Sequence, residues 1–408
     1  MKLSYVIVTR NRKGTLLRTL DRLRTNTGLP RHAWETFVID NCSEDDTAAA
    51  VASAHRDVKL IRLDENEGIP ARNRALPLAR GRYMVFLDDD SYPMPGAIPP
   101  SLAYLNRTPG TAALVARVVL PDGKLEAPAF PNVSMGGASV LRASVLKEVG
   151  GFAPEFFRQA EEYDLSFKIW RAGHRVERFE DVIFGHDKVA DGKGRNLALT
   201  HRMDVRNNLI LVERYLPRGL RSEYRKDFIQ RYVALAVHDG CADAAHGGVH
   251  EGHVWARREK AVGRKTLDPE SLENLFDLKR QGEVVAEWVK RQGFKQVALA
   301  DLSKNVYATF RACRGSAAKV TCLLDSRPAF KGMEYRGLPV VPDGEVDASS
   351  FDAIVLSNVN PAQVDARCAE LAARFGKPVL RLWEPRTLAE ASAQPPRTPV
   401  QTPEKNVA

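Results

Sequence analysis

The N-terminal part of the chain alternates short, wholly apolar runs with segments whose apolar residues recur at helical spacing. The apolar runs are LSYVIV (3–8), TFVID (36–40), VKLIRL (58–63), YMVFLD (83–88) and AALVARVVL (112–120). Each predicts a strand, and runs that are apolar throughout fit a sheet covered on both faces. GTLLRTLDRLRTN and DTAAAVASAHR lie between them and predict helices. That order, strand then helix then strand, predicts a parallel α/β sheet. Residues 127–195 change character: loops containing SMGG and EVGGF, a helix over AEEYDLSFKIWRAGH, then a strand over VERFEDVIFGHD.

Residues 200–280 read as mainly helical and rich in Arg and Lys. Within them HGGVHEGH places His246, His250 and His253 at spacings of four and three, but its three glycines predict a polar loop rather than a helix. From 281 the strand–helix alternation restarts, which predicts a second, small Rossmann-like α/β domain. Its first turn, ADLSKNVYATF, has no glycine, so a Gly-rich phosphate loop is absent there. The expected organisation is a first α/β domain over 1–200, a helical extension over 201–280, the small α/β domain over 281–388 and a disordered Pro- and Thr-rich tail over 389–408.

In open α/β sheets, chemistry gathers at the carboxyl ends of the strands. Here those ends carry Thr9-Arg10-Asn11, Asp40-Asn41, Asp64-Glu65-Asn66 and Asp88-Asp89-Asp90. Four polar, mostly acidic strand ends on one edge define a candidate site. Three adjacent carboxylates repel one another unless solvated or neutralised. Aspartates spaced D-x-D offer hard oxygen ligands to Mg²⁺ or Mn²⁺, ions that commonly share substrate phosphates. A carboxylate base within reach of an acceptor hydroxyl is the other requirement of a group-transfer site, and EEYD (161–164) is the candidate.

Charge and cysteines narrow the setting. The net charge of +9 suits an anionic ligand or surface without choosing one. The basic residues are spread out and lack interleaved aromatics, which disfavours nucleic acid. The stretch 214–228 mixes Leu and Tyr with Arg and Lys and is a candidate for peripheral contact with an anionic membrane. No apolar run nears the ~20 residues of a membrane-spanning helix. Five dispersed cysteines without a CxxC pair argue for reduced thiols in a cytoplasmic setting.

The motifs, in order, strongly resemble those of the family 2 glycosyltransferases, whose nucleotide-binding α/β fold is called GT-A. They are YVIVTRNRKGTLLRTLDRL, FVIDNCSEDDT, NEGIPARNRALPLARGRYMVFLDDDSYP, GGASVLRASVLKEVGGF and AEEYDLSFKIWRAGHRV, covering about 1–190. The resemblance implies a nucleotide-sugar donor, a UDP-sugar by preference, and a glycan, lipid-linked or protein acceptor. It places Thr9, Arg10, Asn11, Asp40, Arg72, Asn73 and Asp88 around the nucleotide. Asp88, Asp90 and His186 would serve a Mn²⁺ or Mg²⁺ site, with Asp89 outward or supporting the turn. The family usually shows Glu-Asp-x-Asp where this chain has Glu161-Glu162-Tyr163-Asp164. Glu162 is therefore expected to be the base, with Glu161 as the alternative and Asp164 as a helix anchor. One base and one metal imply inversion at the sugar carbon. Lys188, Gly192, Gly194 and Arg195 suggest a loop over the diphosphate. The rival readings are a nucleotidyltransferase, against which the single glycine of TRNRKGT counts, and a binding protein with a decayed site. The small C-terminal domain is expected to serve binding, docking or homo-oligomer formation.

Overall fold

The computed structural model describes residues 1–188 and 196–393. The chain divides into two compact units. The first comprises Met1–Ala127, Asn132–Asp191 and Pro385–Ala408; the second comprises Pro128–Pro131 and Gly192–Glu384.

The first unit is built on a nine-stranded sheet among the described residues, in the order β3-β2-β1-β4-β8-β6-β9-β5, with β7 paired to β6. The strands are β1 Leu3–Thr9, β2 Trp34–Asp40, β3 Lys59–Arg62, β4 Tyr83–Asp88, β5 Ser91–Pro93, β6 Thr111–Val119, β7 Leu125–Glu126, β8 Ser139–Arg142 and β9 Arg175–His186. Strands β3, β2, β1 and β4 run parallel. Strand β8 then inserts antiparallel to both β4 and β6. The helices are α1 Lys13–Asn26, α2 Thr47–Ala54, α3 Ile98–Arg107, α4 Ala143–Val149 and α5 Glu161–Arg171.

Helix α1 forms because Leu16, Leu20 and Leu23 share one face, and all three are buried. They pack with Leu3, Tyr5 and Ile7 of β1 and with Val85 and Leu87 of β4 in one core. The opposite sheet face is also covered, and β2 is buried along its whole length. That double cover explains why these strands read as continuous apolar runs.

The register sets the functional edge. Thr9 pairs with Asp40 and Val8 with Asp88, so the ends of β1, β2 and β4 finish level. Asn41 ties the next turn to this edge: its side-chain amide donates to the Gly68 carbonyl (3.1 Å) and its oxygen accepts from the Glu67 amide (2.9 Å). Gly68 has φ +68°, and a Cβ there would lie 2.2 Å from the Phe157 carbonyl oxygen, so only glycine fits.

The second unit contains α6 Leu197–Tyr215, α7 Arg218–His238, α8 Ala242–Val262, α9 Pro269–Phe276 and α10 Leu278–Gln292. A six-stranded sheet follows, in the order β12-β13-β11-β10-β14-β15. Its members are β10 Gln296–Ala300, β11 Lys319–Leu324, β12 Glu334–Tyr335, β13 Leu338–Val341, β14 Ala353–Leu356 and β15 Val379–Leu380, with α11 Val306–Arg314 and α12 Val364–Phe375. The parallel order 13-11-10-14-15 is the half-Rossmann arrangement expected from the sequence.

Two expectations are corrected here. HGGVHEGH is not a loop but part of α8. Two of its three glycines are contact points against α6: a Cβ at Gly248 would lie 2.4 Å from the Arg202 carbonyl oxygen, and one at Gly252 would lie 2.6 Å from Leu209 Cδ1. Close helix packing outweighs the ~1 kcal/mol that each helical glycine costs. Gly248→Ala should therefore destabilise the protein, by roughly 1–3 kcal/mol of overpacking, although alanine is the better helix former. Thermal unfolding of the variant, with Gly247→Ala as a control in open space, checks the sign. The tail also does not begin at 389. Leu388–Ala393 forms helix α13, because Asp181 accepts hydrogen bonds from the Leu388 amide (2.6 Å) and the Ala389 amide (3.2 Å). Residues 394–408 lie outside the described part.

Candidate active site

The triplet at the end of β4 is neutralised residue by residue. Asp88 accepts from Arg72 at 2.6 Å. Asp89 is buried; its Oδ2 accepts from the Thr9 hydroxyl at 2.8 Å and its Oδ1 faces Arg12 Nε at 2.9 Å. Asp90 Oδ2 accepts from Arg12 Nη2 at 2.6 Å, and its Oδ1 lies 3.0 Å from His186 Nε2. Two guanidiniums and one imidazole thus face three carboxylates. Burial pushes Asp89 up to about 7 against the pull of Arg12 and Thr9. The burial of Asp90 is outweighed by His186 and Arg12, and its carboxyl stays below the usual range. Asp89 supports the turn, and it does so from inside the protein, not by facing outward. The Thr19 hydroxyl donates to its carbonyl at 2.8 Å.

His186 ends β9, which β5 brings alongside the triplet: Ser91 pairs with His186. Its Nδ1 lies 2.7 Å from Glu126 Oε2, and Glu126 Oε1 accepts from Lys188 at 2.9 Å. Burial alone would lower the imidazole; Asp90 and Glu126 outweigh it and raise it to about 10. The His186 hydrogen bond holds Glu126 down at about 2.

Asp88, Asp90 and His186 are the one group of three potential ligands found together among the described residues, with one ligand atom from each within 4.8 Å of the others. A divalent ion with bonds of ~2.1 Å spans up to ~4.2 Å between opposite ligands, so shifts of a few tenths of an ångström would close this set around it. Two carboxylates and one imidazole suit Mn²⁺ or Mg²⁺.

The other expected residues divide into two groups. Thr9, Asp40, Arg72 and Asp88 stand at the sheet edge, but Arg72 is 1% exposed and turned onto Asp88 and the Leu87 carbonyl. Arg10 pairs with Glu44 at 2.8 Å, and Asn11 accepts from the Glu44 amide at 2.7 Å. Asn73 is occupied with the Phe152 backbone, donating to its carbonyl (2.7 Å) and accepting from its amide (2.9 Å). It clamps two loops and does not open onto the edge. Lys188 is bound to Glu126, and Gly192, Gly194 and Arg195 lie outside the described residues.

The acidic turn of α5 is delivered by the loop 134–137. The Ser134 amide donates to Ser166 Oγ at 2.8 Å, and the Ser166 hydroxyl donates to the Glu162 carbonyl at 2.6 Å. A Cβ on Gly136 would sit 3.1 Å from Arg72, and one on Gly137 would sit 2.9 Å from Asp88. The same loop therefore reaches both α5 and the candidate metal-binding end of β4. Glu161 Oε2 is enclosed without a hydrogen-bond partner. Burial, and then the charge of Glu162, raise the Glu161 carboxyl well above the usual range, against the pull of Arg72. Asp164 is fully buried and paired with Lys168 at 2.8 Å, a helix anchor as expected.

Sequence reasoning missed Glu126 and Arg12. Arg12 carried a readable signal, a cation one turn beyond an acidic edge. Glu126 carried none, because its partner is 60 residues away. In the second sheet the acidic strand ends are occupied: Asp325 accepts from the Leu302 amide (2.7 Å) and from Arg327 (2.9 Å), while Arg367 bridges Asp301 (2.9 Å) and Asp343 (2.7 Å).

Residues 4–154 match the family model of glycosyl transferase family 2. The resemblance carried by the motifs thus holds over this segment. Among curated proteins, the poly(ribitol-phosphate) β-N-acetylglucosaminyltransferase TarS of Staphylococcus aureus is 22% identical over 262 residues, 59% of this chain and 46% of TarS. The succinoglycan biosynthesis protein ExoO of Rhizobium meliloti is 36% identical over 89 residues, 21% of this chain and 25% of ExoO. The chain thus spans about half of TarS or less of the curated relatives it matches. Among solved structures, S. aureus TarS 1–349 in complex with UDP-GlcNAc superposes with a TM-score of 0.51 at 16% identity, over 83% of this chain and 98% of that one. The α/β fold is that of the GT-A glycosyltransferases, as the motifs led us to expect.

Proposed function

We propose that the protein is a metal-dependent, inverting glycosyltransferase that moves a sugar from a nucleotide-sugar donor to a hydroxyl of a glycan, lipid-linked or protein-linked acceptor. The observation that carries this reading is the convergence of Asp88, Asp90 and His186 at the strand-end edge that also carries Thr9 and Asp40. The family match over 4–154 supports it.

A Mn²⁺ or Mg²⁺ ion held by Asp88, Asp90 and His186 would act as a Lewis acid toward the departing diphosphate. Arg72 orients Asp88, and Arg12 orients Asp89 and Asp90. Glu162 takes the proton of the acceptor hydroxyl, while Glu161 holds its own proton. Sugar and hydroxyl oxygen then form the new glycosidic bond as the nucleoside diphosphate leaves with its electron pair. A single displacement of this kind inverts the sugar carbon. The setting is cytoplasmic, with peripheral contact to an anionic membrane where the acceptor is lipid-linked. Among the described residues no helix is long and apolar enough to cross a membrane.

The test is a thermal-shift and hydrolysis screen of the full chain against UDP-, GDP-, dTDP- and CMP-sugars, with Mn²⁺ and then with EDTA. Uridine nucleotides come first. Metal-dependent stabilisation by one nucleotide family, with slow sugar release, supports the transferase. Nucleotide binding without turnover on any acceptor would favour a binding protein with a decayed site. No response to any nucleotide overturns both.

A further inference from the structure

We propose that Glu126 is a positioning residue for the metal site, fixing the ring orientation and tautomer of His186. The inference rests on the function proposed above and adds to it a residue that no strand-end motif contains.

The geometry is specific. Strand β6 turns back through a tight hairpin, the Leu120 amide donating to the Lys124 carbonyl at 2.8 Å. This lays β7 beside β6 with Glu126 opposite Val118. On the other side of β6, Phe184 pairs with Val118 and Gly185 with Val119, so His186 emerges past the end of the same strand. The two side chains meet there, Nδ1 to Oε2, at 2.7 Å.

An ionised carboxylate only accepts hydrogen bonds. Nδ1 therefore carries the hydrogen in this pair, and Nε2 is the nitrogen turned toward Asp90 at 3.0 Å. Nε2 is the ligand atom the metal site needs. Without Glu126 the ring could flip or change tautomer and present the wrong nitrogen. Histidine ligands are commonly held in this way by a carboxylate on the second ring nitrogen, and losing that carboxylate typically costs 10–100-fold in metal affinity. Lys188, 58% exposed in its side chain, holds the other Glu126 oxygen at 2.9 Å and fixes the carboxylate in turn. Its exposure means that removing Glu126 leaves no buried lysine behind.

The test is Mn²⁺ titration of the full chain, followed by the electron paramagnetic resonance of free Mn²⁺, for wild type, Glu126→Ala, Glu126→Gln, His186→Ala and the double variant His186→Ala/Glu126→Ala. Glu126→Ala is expected to weaken Mn²⁺ binding about 10–100-fold. Glu126→Gln, which still accepts from Nδ1, should recover most of it. In the His186→Ala background, removing Glu126 should change affinity by less than about twofold, because the carboxylate acts through the ring. Additive losses, or unchanged binding in Glu126→Ala, overturn the inference. If binding is lost on Asp90→Asn but is indifferent to Glu126, only the positioning role falls. If wild type shows no Asp90-dependent Mn²⁺ binding, the metal-site reading falls and this one with it.

Discussion

Asp90→Asn should lower turnover of a nucleotide sugar about 10³-fold and abolish Mn²⁺ binding by the free protein. Asp90 is the carboxylate on which both His186 and Arg12 converge, and a metal stabilising a leaving diphosphate is worth several kcal/mol of barrier. Asparagine keeps the size and one acceptor oxygen but removes the charge that a divalent ion needs. The neighbouring Asp89→Asn makes the contrast. Asp89 faces inward to Thr9 and Arg12, so its loss should appear as a stability loss of about 1–3 kcal/mol, with Mn²⁺ binding retained. Equal metal loss in both variants would mean that the triplet acts as a diffuse negative patch, and the assignment to Asp88, Asp90 and His186 would fail.

That contrast also shows where the sequence stops being informative. The parallel strands β1, β2, β3 and β4 were readable because burial on both faces imposes uninterrupted apolar runs, and three carboxylates at a strand end must be solvated or neutralised. The D-x-D spacing of Asp88 and Asp90 was readable too, as a pair of hard oxygen ligands. Apart from Arg12, the partners of these side chains were not. Arg72 lies 16 residues from Asp88, and Glu126 lies 60 from His186; only the sheet order, with β8 threaded between β4 and β6, brings such residues together. Asn73 shows a different limit. It belongs to the segment that carries the motif resemblance, and its amide bonds the Phe152 backbone, a clamp that no local pattern announces. In α8 the glycines misled because propensity is a local quantity, whereas the constraint there is the approach of α6.

The pair Glu161–Glu162 carries the second large effect, and the raised Glu161 carboxyl favours Glu162 as the proposed base. The Glu161 carboxyl is enclosed and raised well above the usual range, by burial first and by Glu162 second. Burial, and then the charge of Glu162, favour the protonated form of Glu161. A protonated acid cannot take a proton from an acceptor hydroxyl, which is why Glu162 is the proposed base. Glu162→Gln should therefore reduce kcat about 10²–10⁴-fold while donor and Mn²⁺ binding persist. Glu161→Gln, which copies a neutral carboxyl, should keep most of the turnover. The two variants should also differ in stability against pH. The folded chain holds the Glu161 proton above the ordinary carboxylate pKa of ~4.3, where the unfolded chain has released it. Wild-type stability from this group is complete below that value and falls, by up to ~1.4 kcal/mol per pH unit, as pH rises toward the raised folded value. Glutamine has no proton to lose, so Glu161→Gln should flatten that slope in thermal unfolding measured from pH 4 upward. An unchanged slope, together with a kcat loss in Glu161→Gln as deep as that in Glu162→Gln, would reverse the assignment and make Glu161 the base.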